Sequence, residues 1–531
     1  ENLPLLALFA LVFAAWTARR GGWLAGALVG VALVAHRGVY EGFWPGYADH
    51  HGLIAAGILG MALGAFWMRG GWVEADGRTP ATGAVTAARW SGCWGGFGMW
   101  ISAASLAPVL ALVPLAAGVA TWLARRGAGA RWRFEPRVWR AWGRTGALTS
   151  LAFYLLEYFP HHLGWRLEVN HPLYALAWWA GAELTARLLP WIAGRNETGG
   201  RALACTALWT VPLIVAPAIA IQLGGTRVFL LRDPFLVGLH RTITEFLPLF
   251  VRVRIEGLGS HYESVLLYPL FYLLVAALIR WGRSEGRFGL TFMLVPTVLL
   301  HALGLWQTRW GMSAAPFQVV LLMAVVHELR ATVWAGVARW RRPAIVAVAG
   351  LALFGWPVAV RALDAAKVEY YRAVLPGDAR QIIYREVAEM IRESQPQGDV
   401  VLFASPNTSV NVAFFGDFKT LGTLYWENVD GLKAAAEISS ARTEEEAARL
   451  IQKYGVTHLA FFKDSNYIAE YAQLLDAKAT EAELKATFGY RVLGERVVPL
   501  WLEPLPYAAP KGLPKDVDPE VLVFRVNFQQ T

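Results

Sequence analysis

The chain has 531 residues, of which 56% are hydrophobic and 17% charged, and its mean hydropathy is +0.37. This composition excludes an ordinary soluble protein and predicts a polytopic α-helical membrane protein. The net charge of +9 does not call for a nucleic-acid partner, because the arginines cluster between apolar runs, as they do in cytoplasmic loops. The two cysteines, Cys93 and Cys205, have neither metal-ligand spacing nor a disulfide pattern.

The apolar runs predict about twelve transmembrane helices between residues 1 and 364. We orient them by the arginines that connect them, since cytoplasmic loops are rich in Lys and Arg. Arg19 and Arg20 follow the first run, so the chain begins outside. Arg137, Arg140 and Arg144 fall in an inner loop before the sixth span. The predicted spans are residues 3–17, 23–36, 51–68, 81–94, 96–123, 146–159, 172–192, 202–221, 265–279, 289–305, 312–329 and 345–360.

This orientation places a set of polar side chains together on the outer side of the membrane. Ionisable groups at a membrane edge are costly and mark functional sites more often than structural ones. A purely structural alternative exists for Asp49, His50 and His51, in which Asp49 is a helix N-cap and the two histidines lie at the membrane interface. The shared sidedness favours an external active site. The outer residues are Asp49, His50, His51, His161, His162, Glu168, His171, Glu245 and Arg309.

A long external segment, residues 224–263, separates two of the predicted spans, and a loop of this length indicates function. It contains Glu245 in the sequence Thr242-Ile243-Thr244-Glu245. Two interpretations remain open for this carboxylate. It either forms a salt bridge to Arg241, Arg252 or Arg254, or it reaches over the external site.

Residues 365–531 form a predicted external domain of the α/β class. Buried-strand patterns alternate there with helical ones, as expected for an open sheet with helices on its faces. The predicted strands are residues 399–404, 457–462 and 521–526, and the clearest helices are residues 430–440 and 443–454.

These stretches together resemble the catalytic subunit of oligosaccharyltransferases, in particular the single-subunit archaeal and bacterial enzymes of the C-type glycosyltransferase (GT-C) fold. Asp49-His50-His51 resembles that family's second acidic motif, an Asp with a His two positions later. Trp94-Gly95-Gly96 resembles a tryptophan-glycine stretch at a junction between short helices. Thr242-Ile243-Thr244-Glu245 matches the bacterial Thr-Ile-x-Glu motif of the long external loop, and Arg309 stands where the family has an arginine.

The resemblance implies a role for each matched residue. Asp49 and His51 would bind a divalent metal, Mn²⁺ or Mg²⁺, for which oxygen and imidazole ligands are suitable. Asp49 and Glu245 would be catalytic, with Glu245 next to the acceptor. Arg309 would bind the donor phosphate, which a guanidinium can hold bidentately. Further candidates are His50, His161, His162, Glu168 and His171.

The resemblance also implies a membrane glycosyltransferase with a GT-C-like domain at residues 1–364. It would move a sugar or glycan from a polyprenyl-(pyro)phosphate donor to an acceptor on the outer face of the cell (inner) membrane. Family members have thirteen spans and carry an essential Asp in an external loop after the first. Because this chain begins outside, we expect an upstream helix and loop before Glu1.

One family motif is missing from the external domain. The family has Trp-Trp-Asp-Tyr-Gly after the first strand, where it reads the Ser or Thr of an N-glycosylation site. Here the chain reads Phe403-Ala404-Ser405-Pro406-Asn407-Thr408-Ser409. Losing a pocket that hydrogen-bonds an acceptor hydroxyl relaxes that discrimination. The acceptor is therefore left open as a protein side chain, a glycan or a lipid.

Two other classes of function compete with the enzyme. The first is a non-catalytic GT-C scaffold or subunit that binds lipid or a partner protein. The second is a transporter, for which we expect polar residues at mid-membrane and broken helices in repeated halves. The sequence shows no such pattern.

Overall fold

The structure is a computed structural model that describes residues 2–43, 50–75, 81–124, 132–195, 199–241, 243–281, 284–329, 337–338, 340–350, 376–423, 428–462, 467–476, 478–511, 513 and 520–530. The chain divides into two compact units. Unit 1 comprises Glu1–Phe229 and Thr242–Leu363, and unit 2 comprises Leu230–Arg241 and Asp364–Thr531.

Unit 1 is helical, as the apolar runs predict. Seven helices in the described part of the chain are long and apolar enough to cross a membrane, and the pair Trp23–Ala35 and Arg37–Phe43, bent by 69°, is an eighth candidate. The polytopic fold class is thereby confirmed. The helices are α1 (Asn2–Gly21), α2 (Trp23–Ala35), α3 (Arg37–Tyr40), α4 (His51–Met68), α5 (Ala81–Ile101), α6 (Ala103–Ala124), α7 (Pro136–Tyr158), α8 (Pro172–Ile192), α9 (Gly199–Gly224), α11 (Leu249–Glu256), α12 (Tyr268–Trp281), α13 (Ser284–Trp306), α14 (Trp310–Leu329) and α15 (Arg341–Gly350).

Helix α4 is the buried centre of unit 1. It packs against α5, α6 and α14, and nearly all of its side chains lie inside the protein. A helix that is apolar all round belongs in a core rather than at a lipid surface. Two short strands, β1 (Trp72–Glu74) and β2 (Trp132–Phe134), pair antiparallel beyond its end.

The predicted break at Trp94-Gly95-Gly96 is wrong. Helix α5 continues through these residues to Ile101, and the chain turns at Ser102 before α6. The glycines instead allow a close approach of α5 to α7. A Cβ atom on Gly96 would lie only 2.7 Å from the Cβ of Thr149. The glycines therefore serve tight helix packing. The sequence alone does not distinguish glycines of this kind from glycines at a helix break.

The predicted inner loop before the sixth span is also shorter than expected. Helix α7 begins at Pro136, so Arg137, Arg140 and Arg144 lie inside the helix. Glu135 caps it by accepting a hydrogen bond from the Arg137 amide, and proline is favourable in a first turn. Arg140 Nε lies 3.0 Å from the Glu183 carboxylate on α8. These arginines extend from a helix rather than from a loop.

Unit 2 is an α/β domain, as predicted. Its five-stranded sheet has the order β4-β3-β5-β7-β6. β3 pairs in parallel with β4 and β5, whereas β7 pairs antiparallel with β5 and β6. The sequence patterns found β3, β5 and β7 and missed β4 and β6. The strands are β3 (Val401–Phe403), β4 (Lys419–Thr420), β5 (His458–Phe462), β6 (Leu502–Leu505) and β7 (Val521–Val526).

Helices cover both faces of this sheet and supply its two apolar cores. They are α16 (Pro376–Ser394), α17 (Pro406–Gly416), α18 (Val429–Ser440), α19 (Glu444–Lys453), α20 (Tyr467–Leu475), α21 (Glu481–Lys485) and α22 (Phe488–Leu493).

A segment from the long loop also belongs to unit 2. Helix α10 (Pro234–His240) buries Phe235, Leu236 and Leu239 in a core of this unit. Lys433 Nζ lies 2.7 Å from the carboxylate of Asp233, which also caps the helix. The sequence patterns indicate only a turn here, because a seven-residue helix leaves too little periodicity to detect.

One buried histidine makes the stability of unit 2 depend on pH. His458 in β5 is fully buried, with Ser394 Oγ 3.0 Å from its Nε2 atom. Burial, with the Arg525 guanidinium nearby, lowers the pKa of His458 to about 4.

We expect unit 2 to lose about 2 kcal/mol of stability between pH 7.5 and pH 5, because the unfolded chain takes up a proton near pH 6.5 that folded His458 takes up only near pH 4. Hydrogen exchange of the β5 amides in the full-length protein, corrected for intrinsic rates, measures this loss. His458→Gln should flatten the pH dependence. An unchanged slope in that variant would assign the effect to other groups.

Candidate functional site

His51 stands at the beginning of α4, with its side chain about one-tenth exposed. The preceding 3₁₀ turn, Glu41–Phe43, packs on this helix start, and no Cβ atom fits between them. A Cβ on Gly52 would lie 2.6 Å from the carbonyl oxygen of Gly42. The ring of His50 stacks on that of His51 with centroids 5.0 Å apart. The backbone at His51 is therefore fixed by a buried helix whose start packs closely on the preceding turn.

Glu245 lies in a short 3₁₀ turn, Thr244–Phe246, which is tied to the link between α13 and α14. The amide of Arg309 donates to the Glu245 carbonyl at 2.8 Å, and the amide of Thr308 donates to the Leu247 carbonyl at 3.1 Å. The hydroxyl of Thr308 also donates to the Glu245 carbonyl, at 3.0 Å. Backbone groups thus set the position of Glu245, so a change of its side chain leaves the loop attached.

Three of the predicted site residues converge on one point and form the His51–Glu245–Arg309 cluster. His51 Nε2 lies 3.8 Å from Glu245 Oε2, and Arg309 Nη1 lies 3.6 Å from Glu245 Oε1. The side chains of Glu245 and Arg309 are about one-third and one-quarter exposed. The cluster is accessible and combines an imidazole, a carboxylate and a guanidinium from three separate stretches of the chain.

The local salt-bridge interpretation of Glu245 is not what the structure shows. Arg252 pairs instead with Glu256, at 2.6 Å, and His261 Nε2 lies 2.9 Å from the other oxygen of Glu256. The cation at Glu245 is Arg309, whose guanidinium also lies 5.1 Å from the Phe246 ring centroid. Loop sequence alone could not identify a partner more than sixty positions away.

Asp49 lies outside the described residues, so its pairing with His51 stays a prediction. Within the described ranges, no group of three or more His, Cys, Asp or Glu is close enough to hold a metal ion. Metal–ligand distances of about 2.1 Å allow two ligands of one ion to lie about 3 to 4 Å apart. The separation of His51 Nε2 and Glu245 Oε2 is therefore compatible with a shared cation.

The remaining candidates form a second group between α7 and α8. His171 caps α8 by accepting from the Leu173 amide at 3.1 Å, and its ring lies beside Tyr154 and Trp165. His162 packs against Tyr158, while His161 is exposed and Glu168 lies in the same loop. The contacts described for His162 and His171 are with helix ends and loop residues of this pair. They indicate a structural role for these two histidines.

A polar layer inside the bundle escaped the sequence analysis. His36 Nε2 lies 2.8 Å from Gln318 Oε1, and Gln318 Nε2 donates to the Tyr272 hydroxyl at 2.6 Å. His301 packs edge-on against Tyr268 and Tyr272. His36, His301 and Gln318 stand in predominantly apolar runs, which is the signal that could have found them. The layer joins α2, α12, α13 and α14, and the last two flank Arg309.

The fold defines a class of structure, namely a polytopic α-helical membrane protein with a C-terminal α/β unit. No family model and no curated protein matches the sequence. Solved structures do match. Archaeal oligosaccharyltransferase AglB from Archaeoglobus fulgidus, in complex with an inhibitory peptide and a dolichol-phosphate, superposes with a TM-score of 0.57 at 15% identity. The match covers 95% of this chain and 68% of that one.

Two further structures of the Archaeoglobus fulgidus oligosaccharyltransferase give the same result. One, tethered with an acceptor peptide containing the NVT sequon, has a TM-score of 0.52 at 15% identity, covering 96% of this chain and 62% of that one. The other, a complex with Zn and sulfate, has a TM-score of 0.50 at 14% identity, with coverages of 96% and 61%. The chain thus spans about two thirds of the solved enzymes and has the AglB-like fold. The resemblance predicted from the motifs is confirmed at the level of fold.

We expect Thr308→Val to loosen the attachment of the Glu245 turn. The substitution keeps the shape of the side chain and removes one hydrogen bond, worth about 1 kcal/mol. Amide exchange in a peptide covering residues 305–312 should become about fivefold faster, because the amides of Thr308 and Arg309 donate to this turn.

Thr226→Val is the matched control, since Thr226 is exposed and lies outside the attachment. Equal exchange in the wild type and Thr308→Val would show that the two backbone hydrogen bonds hold the turn without the hydroxyl.

Proposed function

We propose that this protein is a membrane glycosyltransferase that takes a sugar or glycan from a polyprenyl-(pyro)phosphate donor. The observation that carries the proposal is the His51–Glu245–Arg309 cluster, in which an imidazole, a carboxylate and a guanidinium meet within 4 Å. The AglB-like fold supports it. One AglB structure holds a dolichol-phosphate, which is a lipid phosphate of the proposed donor class.

In the proposed reaction, the bond between the anomeric carbon and the donor phosphate oxygen breaks while the acceptor nucleophile bonds to that carbon. Arg309 binds the phosphate, whose charge grows as it departs, through charge-assisted hydrogen bonds. The carboxylate of Glu245 orients the acceptor and takes its proton.

We further propose that the site takes a divalent metal, Mn²⁺ or Mg²⁺. His51 would hold it together with Asp49, and the Glu245 oxygen that faces His51 is positioned to contribute. Such an ion would offset negative charge on the departing phosphate. A neighbour of the same fold was solved as a complex with Zn and sulfate, which is consistent with a cation and an anion in this type of fold.

We propose that the acceptor is not the asparagine of a sequon. The acceptor is instead another protein side chain, a glycan or a lipid. Where the family carries Trp-Trp-Asp-Tyr-Gly, the hydroxyls of this chain are used within unit 2. Ser405 Oγ donates to Thr408 Oγ1 at 2.9 Å, and Ser409 Oγ lies 2.5 Å from the Gly422 carbonyl. These hydroxyls are buried and already hydrogen-bond within unit 2, which argues against a pocket built to receive an acceptor hydroxyl. No other partner such as nucleic acid is required.

We place the site and unit 2 on the periplasmic or extracellular side of the cell (inner) membrane. The arginine-rich segments at the opposite ends of the helices support this orientation.

We expect Glu245→Gln and Arg309→Gln each to lower sugar transfer at least a hundredfold, because each removes a charge that acts on the reacting groups. The measurement is transfer by purified full-length protein from a crude lipid-linked donor pool with Mn²⁺ present. Glu256→Gln is the matched control, since Glu256 lies on the same loop but pairs with Arg252 and His261. Equal activity in all variants would refute the assigned roles.

We expect Mn²⁺ to bind the wild-type protein and to bind His51→Ala and Glu245→Gln at least tenfold more weakly. His51→Ala removes a ligand atom, and Glu245→Gln replaces a charged carboxylate oxygen by a neutral amide. Titration followed by electron paramagnetic resonance of free Mn²⁺ measures this without any substrate. Absence of both Mn²⁺ binding and transfer to every acceptor offered would favour the non-catalytic scaffold.

A further inference from the structure

Helix α11 turns large apolar side chains away from the protein. Phe250 and Ile255 are 72% and 69% exposed. At 100° per residue they lie within one arc of about 140°, and the exposed Arg254 lies between them. Leu249, on the opposite side of the helix, is buried. The outward face thus combines apolar side chains with a basic one and carries no carboxylate.

The side of α11 that faces the protein carries its charged pair. Arg252 Nη2 lies 2.6 Å from Glu256 Oε1, and Nε2 of the buried His261 lies 2.9 Å from the other oxygen of Glu256. A helix in water normally turns its charges outward and its apolar side chains inward. On α11 the charged pair faces inward while Phe250 and Ile255 face outward, and this arrangement suits contact with hydrocarbon.

The beginning of α11 is attached where two spans meet. The Thr308 amide donates to the carbonyl of Leu247, two residues before the helix, at 3.1 Å. Thr308 lies in the link between the candidate spans Arg287–Trp306 and Trp310–Glu328. This end of α11 is therefore at a membrane face, the one that carries the His51–Glu245–Arg309 cluster.

The end of α11 leads directly into another span. Only residues 257–262 separate it from the candidate span Glu263–Trp281. Leu266 and Leu270, in the first turns of that span, are more than half exposed, as expected for side chains in contact with lipid. Leu258, in the connection, is about half exposed. Exposed apolar side chains thus continue along the chain from α11 to the lipid-facing side of this span.

The length of α11 fits a position along the membrane face rather than across it. Its eight residues extend about 12 Å at a rise of 1.5 Å per residue, well short of a hydrocarbon core of about 30 Å. The helix connects the link between α13 and α14 to the start of α12, so it joins the ends of spans. Its outward face is therefore at the level where acyl chains meet head groups. Apolar side chains with a basic one are suited to this level of an anionic leaflet.

We propose that α11 is an in-plane membrane anchor whose outward face enters the lipid leaflet. Phe250 and Ile255 lie among the upper acyl chains, and the Arg254 guanidinium extends to the lipid phosphates. We assign lipid rather than a second protein chain to this face, because the face continues the lipid-contacting surface of the next span. The proposal does not depend on the proposed transfer reaction. Because Glu245 lies four residues before Leu249, the leaflet becomes a second support for the Glu245 turn.

The test is electron paramagnetic resonance of nitroxide labels on the full-length protein in liposomes of phosphatidylcholine and phosphatidylglycerol. The labels are placed at Phe250→Cys and Ile255→Cys in a Cys93→Ser/Cys205→Ser background, because both native cysteines are exposed. O₂ dissolves in hydrocarbon, whereas a polar nickel chelate, present on both sides of the membrane, stays in water. The ratio of relaxation by O₂ to relaxation by the chelate therefore measures whether each label lies in lipid.

Two further labels calibrate this ratio. Leu270→Cys is the lipid reference, and Lys485→Cys, at a surface ion pair of unit 2, is the water reference. At positions 250 and 255 we expect a ratio about threefold above that at Lys485→Cys and close to that at Leu270→Cys. A ratio equal to that at Lys485→Cys would put α11 in water and overturn the proposal. Weak relaxation by both reagents would show that protein covers this face, and it would overturn the proposal equally.

The role of Arg254 is tested by charge reversal. Arg254→Glu should lower the ratio at Ile255→Cys about twofold, because anionic head groups repel a carboxylate, whereas Arg254→Lys should leave it unchanged. Arg241→Glu is the matched control, since Arg241 is an exposed arginine of the same loop outside α11. An unchanged ratio in Arg254→Glu would overturn the assignment of Arg254 to the lipid phosphates.

Discussion

The pairing of the Glu245 turn with the link between α13 and α14 is the interaction on which the candidate site depends. Two backbone hydrogen bonds and one hydroxyl bond join these segments. They bring a carboxylate and a guanidinium together from positions more than sixty residues apart, without using either side chain. Because the attachment uses main-chain groups, the side chains are left available for chemistry, and this is how a precise site can be built on a loop.

The polar layer around His36, Gln318 and Tyr272 supports the same region from within the bundle. Hydrogen bonds between helices in a lipid environment are modest in energy but directional. Here they fix the spacing between α2, α12 and α14, and α14 begins directly after Arg309. The Gly42–Gly52 contact acts similarly at His51, since neither residue has room for a side chain. The three members of the cluster are therefore positioned by packing, by backbone pairing and by a buried network.

Hydropathy and arginine placement were sufficient to predict the polytopic fold and the exact limits of α4 and α8, because a bilayer imposes strong constraints on span length. They also predicted that His51, Glu245 and Arg309 lie on one side, and the structure brings these three residues together. Two boundaries were wrong for physical reasons. Glycines at 95 and 96 serve close packing rather than a break, and a cap at Glu135 starts α7 early. The partner of Glu245 and the polar layer depend on contacts between distant stretches, which no periodicity encodes. The Asp49 position stays a prediction.

The discontinuity of unit 2 has a consequence for its biosynthesis. Residues Leu230–Arg241 complete a core whose other members all follow Asp364. About 120 residues must be translated in between, which takes roughly 6 to 25 s at 5 to 20 residues per second. During this interval Phe235, Leu236 and Leu239 have no core to enter, so the ribosome-bound chain presents an apolar segment to chaperones. A tail expressed from residue 365 alone would lack this segment permanently and would be prone to aggregate through the surface left uncovered.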